Sequence, residues 1–311
     1  MTSGRVLVTG GTGCVGRQVL PLLVDRGWEV HATSSKPAPP DVTGVHWHTT
    51  NLLEAGQPER VVAAVRPDAL LHLAWYIAPR HWAEAPANLA WVTASLDLAR
   101  AFREAGGRRL VGAGSGLEYD WGYGYCSELR TPCVPHTLYG TSKHALRLLL
   151  EAGSAGSGTS VAWGRIFFLF GPHEHEDRLI PYVIRAPLQG QRARCSHGRQ
   201  VRDYLFAGDV ASALVRLLER DDVRGPINIA SGQAITLRAL VERVGDLLGR
   251  SELIDFGAIP AAATDTPLVV GDVTRLGAEL GWSPAGSLDD GLRTTIAWWA
   301  RELERRVGAT R

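Results

Sequence analysis

The chain has 311 residues, 45% of them apolar and 21% charged, which is enough to bury one large core or two modest ones. A formal charge of +1 excludes the basic bias of a nucleic-acid or anionic-membrane binder, so neither partner is expected. Cys14, Cys126, Cys133 and Cys195 lack the C-x-x-C spacing of a zinc or redox site, so no metal is expected; with no leader-like start and no apolar run of membrane length, the expected compartment is the cytoplasm.

Strands are expected at Arg5 to Thr9, Glu29 to Thr33, Val45 to His48, Ala69 to Leu73, Arg109 to Ala113 and Ser160 to Arg165, with helix-like stretches between them. That alternation predicts an α/β fold with a doubly wound parallel sheet, helices on both faces and right-handed crossovers. The run from Glu151 to Gly158 reads as a flexible loop before the sixth strand. After Arg165 the regularity breaks, and the segment from Gly171 to Arg178 reads as an excursion into a smaller domain.

Three local patterns carry chemistry. First, the apolar strand at Arg5 to Thr9 runs into Gly10-Gly11-Thr12-Gly13-Cys14-Val15-Gly16 and then the helical spacing Val19, Leu20, Leu22, Leu23. In a strand–turn–helix context Gly10 allows the tight turn, Gly13 lets backbone approach a pyrophosphate, Gly16 lets the helix pack on the strand, and phosphate sits on the helix N-terminus. Second, Val30-His31-Ala32-Thr33-Ser34-Ser35-Lys36 ends without an acid, so Ser34, Ser35 and Lys36 form a cradle for a 2′-phosphate and favour NADP(H), with NAD(H) the alternative. Third, the chain has only two lysines, and Lys143 lies four residues after Tyr139. That spacing puts a phenol and an ammonium on one helix face, where the cation can lower the phenol towards a working acid/base range.

Thr9-Gly10-x-x-Gly13-x-x-Gly16 with Tyr139-x-x-x-Lys143 resembles the extended short-chain dehydrogenase/reductase superfamily, the group of NAD-dependent epimerases, dehydratases and ketoreductases acting on nucleotide sugars. Leu70-Leu71-His72-Leu73-Ala74, Arg202 to Val210, Pro226 to Gly232 and Leu280-Gly281-Trp282-x-Pro284 fit the same family in order. The resemblance implies a Rossmann fold with a dinucleotide-binding domain at 1–165, residues 199–230 returning to its sheet, and a smaller C-terminal α/β substrate domain mainly at 166–198 and 231–311. It also implies a homodimer. It assigns Ser115, Tyr139 and Lys143 to catalysis, and the glycine loop, Asn51, Leu52, Leu73 and Ala74 to the cofactor.

Other positions bear on substrate. Trp75 follows the fourth strand, Phe168 stands where nucleotide-sugar enzymes usually have Asn, Trp91 replaces another frequent Asn, and Arg202 fits the family arginine that grips a substrate diphosphate. His175 and Arg178 are further substrate candidates. Ser115 is followed by Gly116 and Leu117 instead of the acidic pair of the 4,6-dehydratases, so dehydration lacks its acid and base. The expected function is an NADP(H)-dependent 4-ketoreductase of a nucleotide-linked 4-keto-6-deoxyhexose. A nucleotide-sugar epimerase holding NAD, or a non-catalytic dinucleotide-sensing regulator, are the alternatives.

Overall fold

The computed structural model describes residues 4–37, 39, 41–78, 81–261 and 266–308. Its first half alternates β1 (Arg5–Thr9), α1 (Cys14–Asp25), β2 (Glu29–Ser34), β3 (Val45–Thr49), α2 (Gln57–Val65), β4 (Ala69–His72), α3 (Ala87–Glu104), β5 (Arg109–Ser115) and α4 (Leu138–Ser154). With Ser160–Ile166 and Gly225–Ile229 these strands make a seven-stranded sheet in the order Gly225–Ile229, Ser160–Ile166, β5, β4, β1, β2, β3. Every pairing in it is parallel.

A sheet covered on both faces buries its central strands, and all of β4 and β5 is buried. On one face α1 and the helix Ala207–Leu218 pack Val19, Leu20, Leu23 and Leu214 onto the sheet; on the other, α2, α3 and α4 contribute Val62, Leu98, Phe102, Leu146 and Leu150. Trp163 lies across β5 so closely that a Cβ at Gly112 or Gly114 would overlap its ring. Strand order reverses between β1 and β4, which opens a crevice at their carboxyl ends where ligands of such sheets bind.

Two local readings change. Glu151 to Ser154 is not loop but the last turn of α4, held by an Arg147–Glu151 bond of 2.5 Å across one helical turn; the chain turns only at Gly156 and Gly158, whose φ values of +72° and +81° suit glycine. Tyr125–Cys126, well before residue 165, leaves the large sheet and pairs with Leu268–Gly271 in a small four-stranded sheet that also holds Val201–Arg202 and Ile235–Thr236. A separate core of Phe170, Ile180, Val183, Leu240, Val244, Leu292 and Trp299 underlies the C-terminal part of the chain.

Candidate active site

The glycine turn has the geometry its residues dictate. Gly10 has φ +71°, and a Cβ there would come within 2.8 Å of the Ala74 backbone nitrogen; a Cβ on Gly16 would collide with the Gly10 carbonyl. Gly13 stands at the N-cap of α1 with no side-chain cap, and the first turn carries no acid, so the helix N-terminus keeps its donors and positive end for an anion. A phosphate-bearing dinucleotide fits this cradle.

A cavity of about 940 Å³ runs from that turn past the ends of β4, β5 and Ser160–Ile166. Of the residues singled out in the sequence, Gly10, Gly13, Cys14, Val15, Gly16, Leu73, Trp75, Ser115, Tyr139, Lys143, Phe168, His175 and Arg178 line it. Thr12, Ser34, Ser35, Lys36, Asn51, Leu52, Ala74, Trp91 and Arg202 are not in its lining. Ser34 is buried and accepts the Lys36 backbone N–H at 3.1 Å, while Ser35 and Lys36 are exposed at the end of β2. Asn51 caps its own turn by accepting from Leu53 N–H at 3.2 Å, Leu52 is core, and Trp91 stacks on Trp75 with 6.2 Å between ring centroids. Arg202 is buried, its guanidinium 5.4 Å from the Phe168 ring and 6.0 Å from the Trp121 ring.

Around the ends of β1 and β4 the hydrogen-bond chain has a single assignment. Ser95 donates to the Trp91 carbonyl at 2.6 Å, so its oxygen accepts from His72 Nε2–H at 2.8 Å. His72 Nδ1 then accepts from the Thr9 hydroxyl at 2.7 Å, and Thr9 Oγ1 accepts the N–H groups of Leu73 and Ala74, each at 3.2 Å. Burial, with Lys143 nearby, pulls His72 down to about 3, so the imidazole stays neutral and fixes its tautomer.

Ser115 ends β5 and caps the following turn. Its Oγ accepts from Leu117 N–H at 3.2 Å, and its own N–H donates to Glu118 at 2.8 Å. Glu118 is fully buried and also accepts from Trp163 Nε1–H at 2.7 Å and Arg165 Nε–H at 3.0 Å. Thr137 caps α4 by accepting from Gly140 N–H at 3.0 Å, which sets Tyr139 in the first turn and Lys143 one turn on. Burial pushes the Tyr139 phenol up to about 12, with the Ser115 hydrogen bond opposing it. Burial also pulls Lys143 down to about 7, with Glu118 opposing. The i, i+4 argument expects the cation to lower the phenol. Here desolvation dominates both groups, and the ammonium donates to the Ala113 carbonyl at 2.8 Å and lies 3.8 Å from the Trp75 ring centroid.

Five site residues were not found from sequence: His72, Trp82, Asn88, Glu118 and Glu174. Fully buried Asn88 accepts from Trp75 Nε1–H at 2.8 Å and donates to the Trp82 and Ala85 carbonyls, while Tyr139 N–H donates to Ala83 O at 2.8 Å. These bonds carry the Trp82 ring to 4.7 Å from the Tyr139 ring, edge-on. Only Glu118 had a local signal, since Ser115-Gly116-Leu117-Glu118 has capping-box spacing. Asp203, beside Arg202, is structural: it accepts from Ser231, Gly232 and Gly271 N–H groups at 2.7, 2.9 and 3.3 Å. Among the described residues no group of three or more His, Cys, Asp or Glu could hold a metal, and no helix is long and apolar enough to cross a membrane.

Comparison with known proteins agrees with this geometry. The NAD dependent epimerase/dehydratase family matches residues 6–230. UDP-glucuronic acid decarboxylase 1 of Danio rerio is 24% identical over 97% of this chain and 74% of its own length. Among solved structures, MoeE5 in complex with UDP-glucose and NAD superposes with a TM-score of 0.84 at 29% identity, covering 96% of this chain and all of that one. The NAD complex of UDP-glucose 4-epimerase from Thermus thermophilus also gives 0.84, at 25% identity, covering 95% and 98%.

Proposed function

Since the chain belongs to the NAD dependent epimerase/dehydratase family, we propose that it is a reductase of a keto group on a nucleotide-linked deoxysugar, with Tyr139 as the proton donor. The observation that carries the reading is the meeting of Ser115, Tyr139 and Lys143 in one cavity with the glycine turn, where a phenol that keeps its proton at neutral pH can give it to a nascent alkoxide. The dinucleotide supplies the hydride when bound. Ser115 orients the substrate oxygen, Tyr139 Oη–H donates its proton to that oxygen as the carbonyl carbon is reduced, and solvent restores the phenol. Lys143 sits one turn behind, its ammonium anchored to Ala113 and available to a ribose hydroxyl. Without an acidic pair after Ser115, dehydration has no support. The presence of Ser115, Tyr139 and Lys143 in one cavity supports turnover over a purely sensing role.

A 4-epimerase is the second reading, favoured by the two neighbours whose complexes hold NAD. Mass spectrometry of the purified protein separates the two: dinucleotide retained through purification, with interconversion of a UDP-sugar, supports epimerase and overturns the reductase. Cofactor choice follows the same split. The neighbours hold NAD, whereas exposed Lys36 and the lack of an acid at the end of β2 favour NADP(H). Calorimetry with NADPH and NADH decides, and a preference for NADH removes the NADP reading. Exposed Leu89 on α3 and Leu148 and Leu149 on α4 offer a surface for a homodimer, which sedimentation velocity tests.

A further inference from the structure

The segment after Phe170 folds back over the glycine turn, with Cys14 Sγ donating to the Pro172 carbonyl at 3.3 Å. His173 then takes φ +65°, a left-handed conformation that is uncommon for a non-glycine residue and that recurs at ligand clamps. Its ring packs on Trp298 at 4.7 Å, and the next residue, Glu174, lines the same cavity as Gly10, Gly13 and Cys14. Although Glu174 as a whole is only half-buried, its Oε2 is sealed from solvent and has no hydrogen-bond partner among the described residues. A carboxylate so placed faces a helix N-terminus built for someone else's anion. A buried carboxyl oxygen without a partner is costly, and a phosphate brought beside it would add like-charge repulsion unless the carboxyl carried a proton and donated it.

We propose that Glu174 is a cofactor-binding residue that meets the dinucleotide's phosphates as a neutral carboxylic acid, its O–H donating to a phosphate oxygen, so that binding is coupled to uptake of a proton. The inference rests on the dinucleotide reading of the glycine turn. Burial pushes Glu174 up to about 8, with Arg178 and a backbone hydrogen bond from Gly171 opposing, so the free protein crosses this titration within an accessible range. The charged and titratable neighbours are few. Cys14 on α1 has a thiol raised by burial and by Glu174 itself. Arg17 on α1 pairs with Asp41 at 2.8 Å. His173 is lowered by burial, with Asp41 and Glu302 opposing; His175, Glu176 and Asp177 lie on the same segment, Glu176 held by Arg185 at 3.1 Å and Arg306 at 2.7 Å; Arg178 opens the helix Leu179–Leu188, and Lys143 and Tyr139 line the cavity. An anion brought beside Glu174 raises its proton affinity further. The neutral form therefore binds, and affinity falls as pH rises through the free protein's value.

The test is calorimetry of ADP-ribose binding from pH 7 to 9.5, in pairs of buffers of different protonation enthalpy, on the wild-type protein and on Glu174→Gln. Expected for wild type is uptake of close to one proton per ligand near pH 9 and an affinity that falls roughly tenfold or more across the range. Glu174→Gln, which keeps the shape and a donor, is expected to take up no proton there and to change affinity less than about threefold. Wild-type binding without proton uptake overturns the proposal even if the variant fails to fold. So does an equal uptake in both proteins, which assigns the proton to Lys143 or another group. Failure of ADP-ribose to bind at any pH removes the dinucleotide reading itself and this inference with it.

Discussion

On the sheet side of the cavity, Thr9, His72, Ser115 and Glu118 each have directed partners within 3.2 Å, supplied by β1, β4, α3, the end of β5 with its following turn, and the strand Ser160–Ile166. On the opposite side the contacts are rings: Trp121 meets Phe168 at 5.9 Å and Phe168 meets Tyr204 at 5.5 Å, with the Arg202 cation buried against the same aromatics. Proton transfer needs heavy atoms fixed to a few tenths of an ångström, which directional hydrogen bonds on a rigid sheet deliver. A wall of stacked rings defines shape and excludes water but tolerates small displacements, so substrate selection is the more adjustable half.

Breaking the hydrogen-bonded side, against which α4 sets Tyr139 and Lys143, is expected to cost more. Tyr139→Phe is expected to keep cofactor affinity and to lose about 10²- to 10⁴-fold in hydride-transfer rate, measured by stopped-flow with a reactive keto-sugar. Retention of more than about a tenth of the rate would mean that another group gives the proton. Glu118→Ala leaves the Arg165 guanidinium buried without its carboxylate, and the loss of such a partner costs about 3–5 kcal/mol. Urea unfolding reads that loss, and a midpoint near wild type would show that Glu118 does not anchor the site.

Lys143 gives a pH signature with a defined sign. Its folded value of about 7 lies below the ordinary lysine value, so the unfolded chain binds the extra proton between them and wild-type stability rises with pH from about 7 towards 10. Below that window the buried charge is a full penalty. Relative to wild type, Lys143→Met should therefore be most stable at pH 6–7 and lose on the order of 4 kcal/mol of that relative advantage by pH 10. A pH-independent difference in urea midpoint contradicts this. The smallest effect is expected at Arg178, whose ring contact, Trp82, packs on Tyr139 and not on the Phe168 wall. Arg178 lines the cavity with its guanidinium 5.3 Å from the Trp82 ring, and Arg178→Ala should raise substrate KM about tenfold at nearly unchanged kcat. Arg202→Ala should act on stability more than on KM. The reverse pattern would restore Arg202 as the direct phosphate contact implied by the family resemblance.

Much of the sheet side was legible in the residues. The glycine spacing, the strand alternation and the pairing of Tyr139 with a rare lysine are local signals, each set within one turn or one strand. Glu118 was half legible: its capping-box spacing is local, but its bonds to Trp163 and Arg165 bridge 45 and 47 residues. Asn88 and Trp82 were not legible, because their roles arise only when the first turn of α3 and the segment before it meet the first turn of α4. Arg202 was legible only as a motif, for the same reason. The motif fixes which residue it is, whereas burial against Phe168 and Trp121 decides what it faces.

Periodicity, glycine φ freedom and i, i+4 spacing act over a few residues, so the parallel α/β sheet, the anion cradle at α1 and the candidate proton donor were set by the local chain. Tertiary structure alone decided the protonation of that donor and its neighbours. Burial pushes Tyr139 up and pulls Lys143 and His72 down, against what spacing alone implies, because desolvation depends on everything packed around a group and no short stretch of chain encodes it.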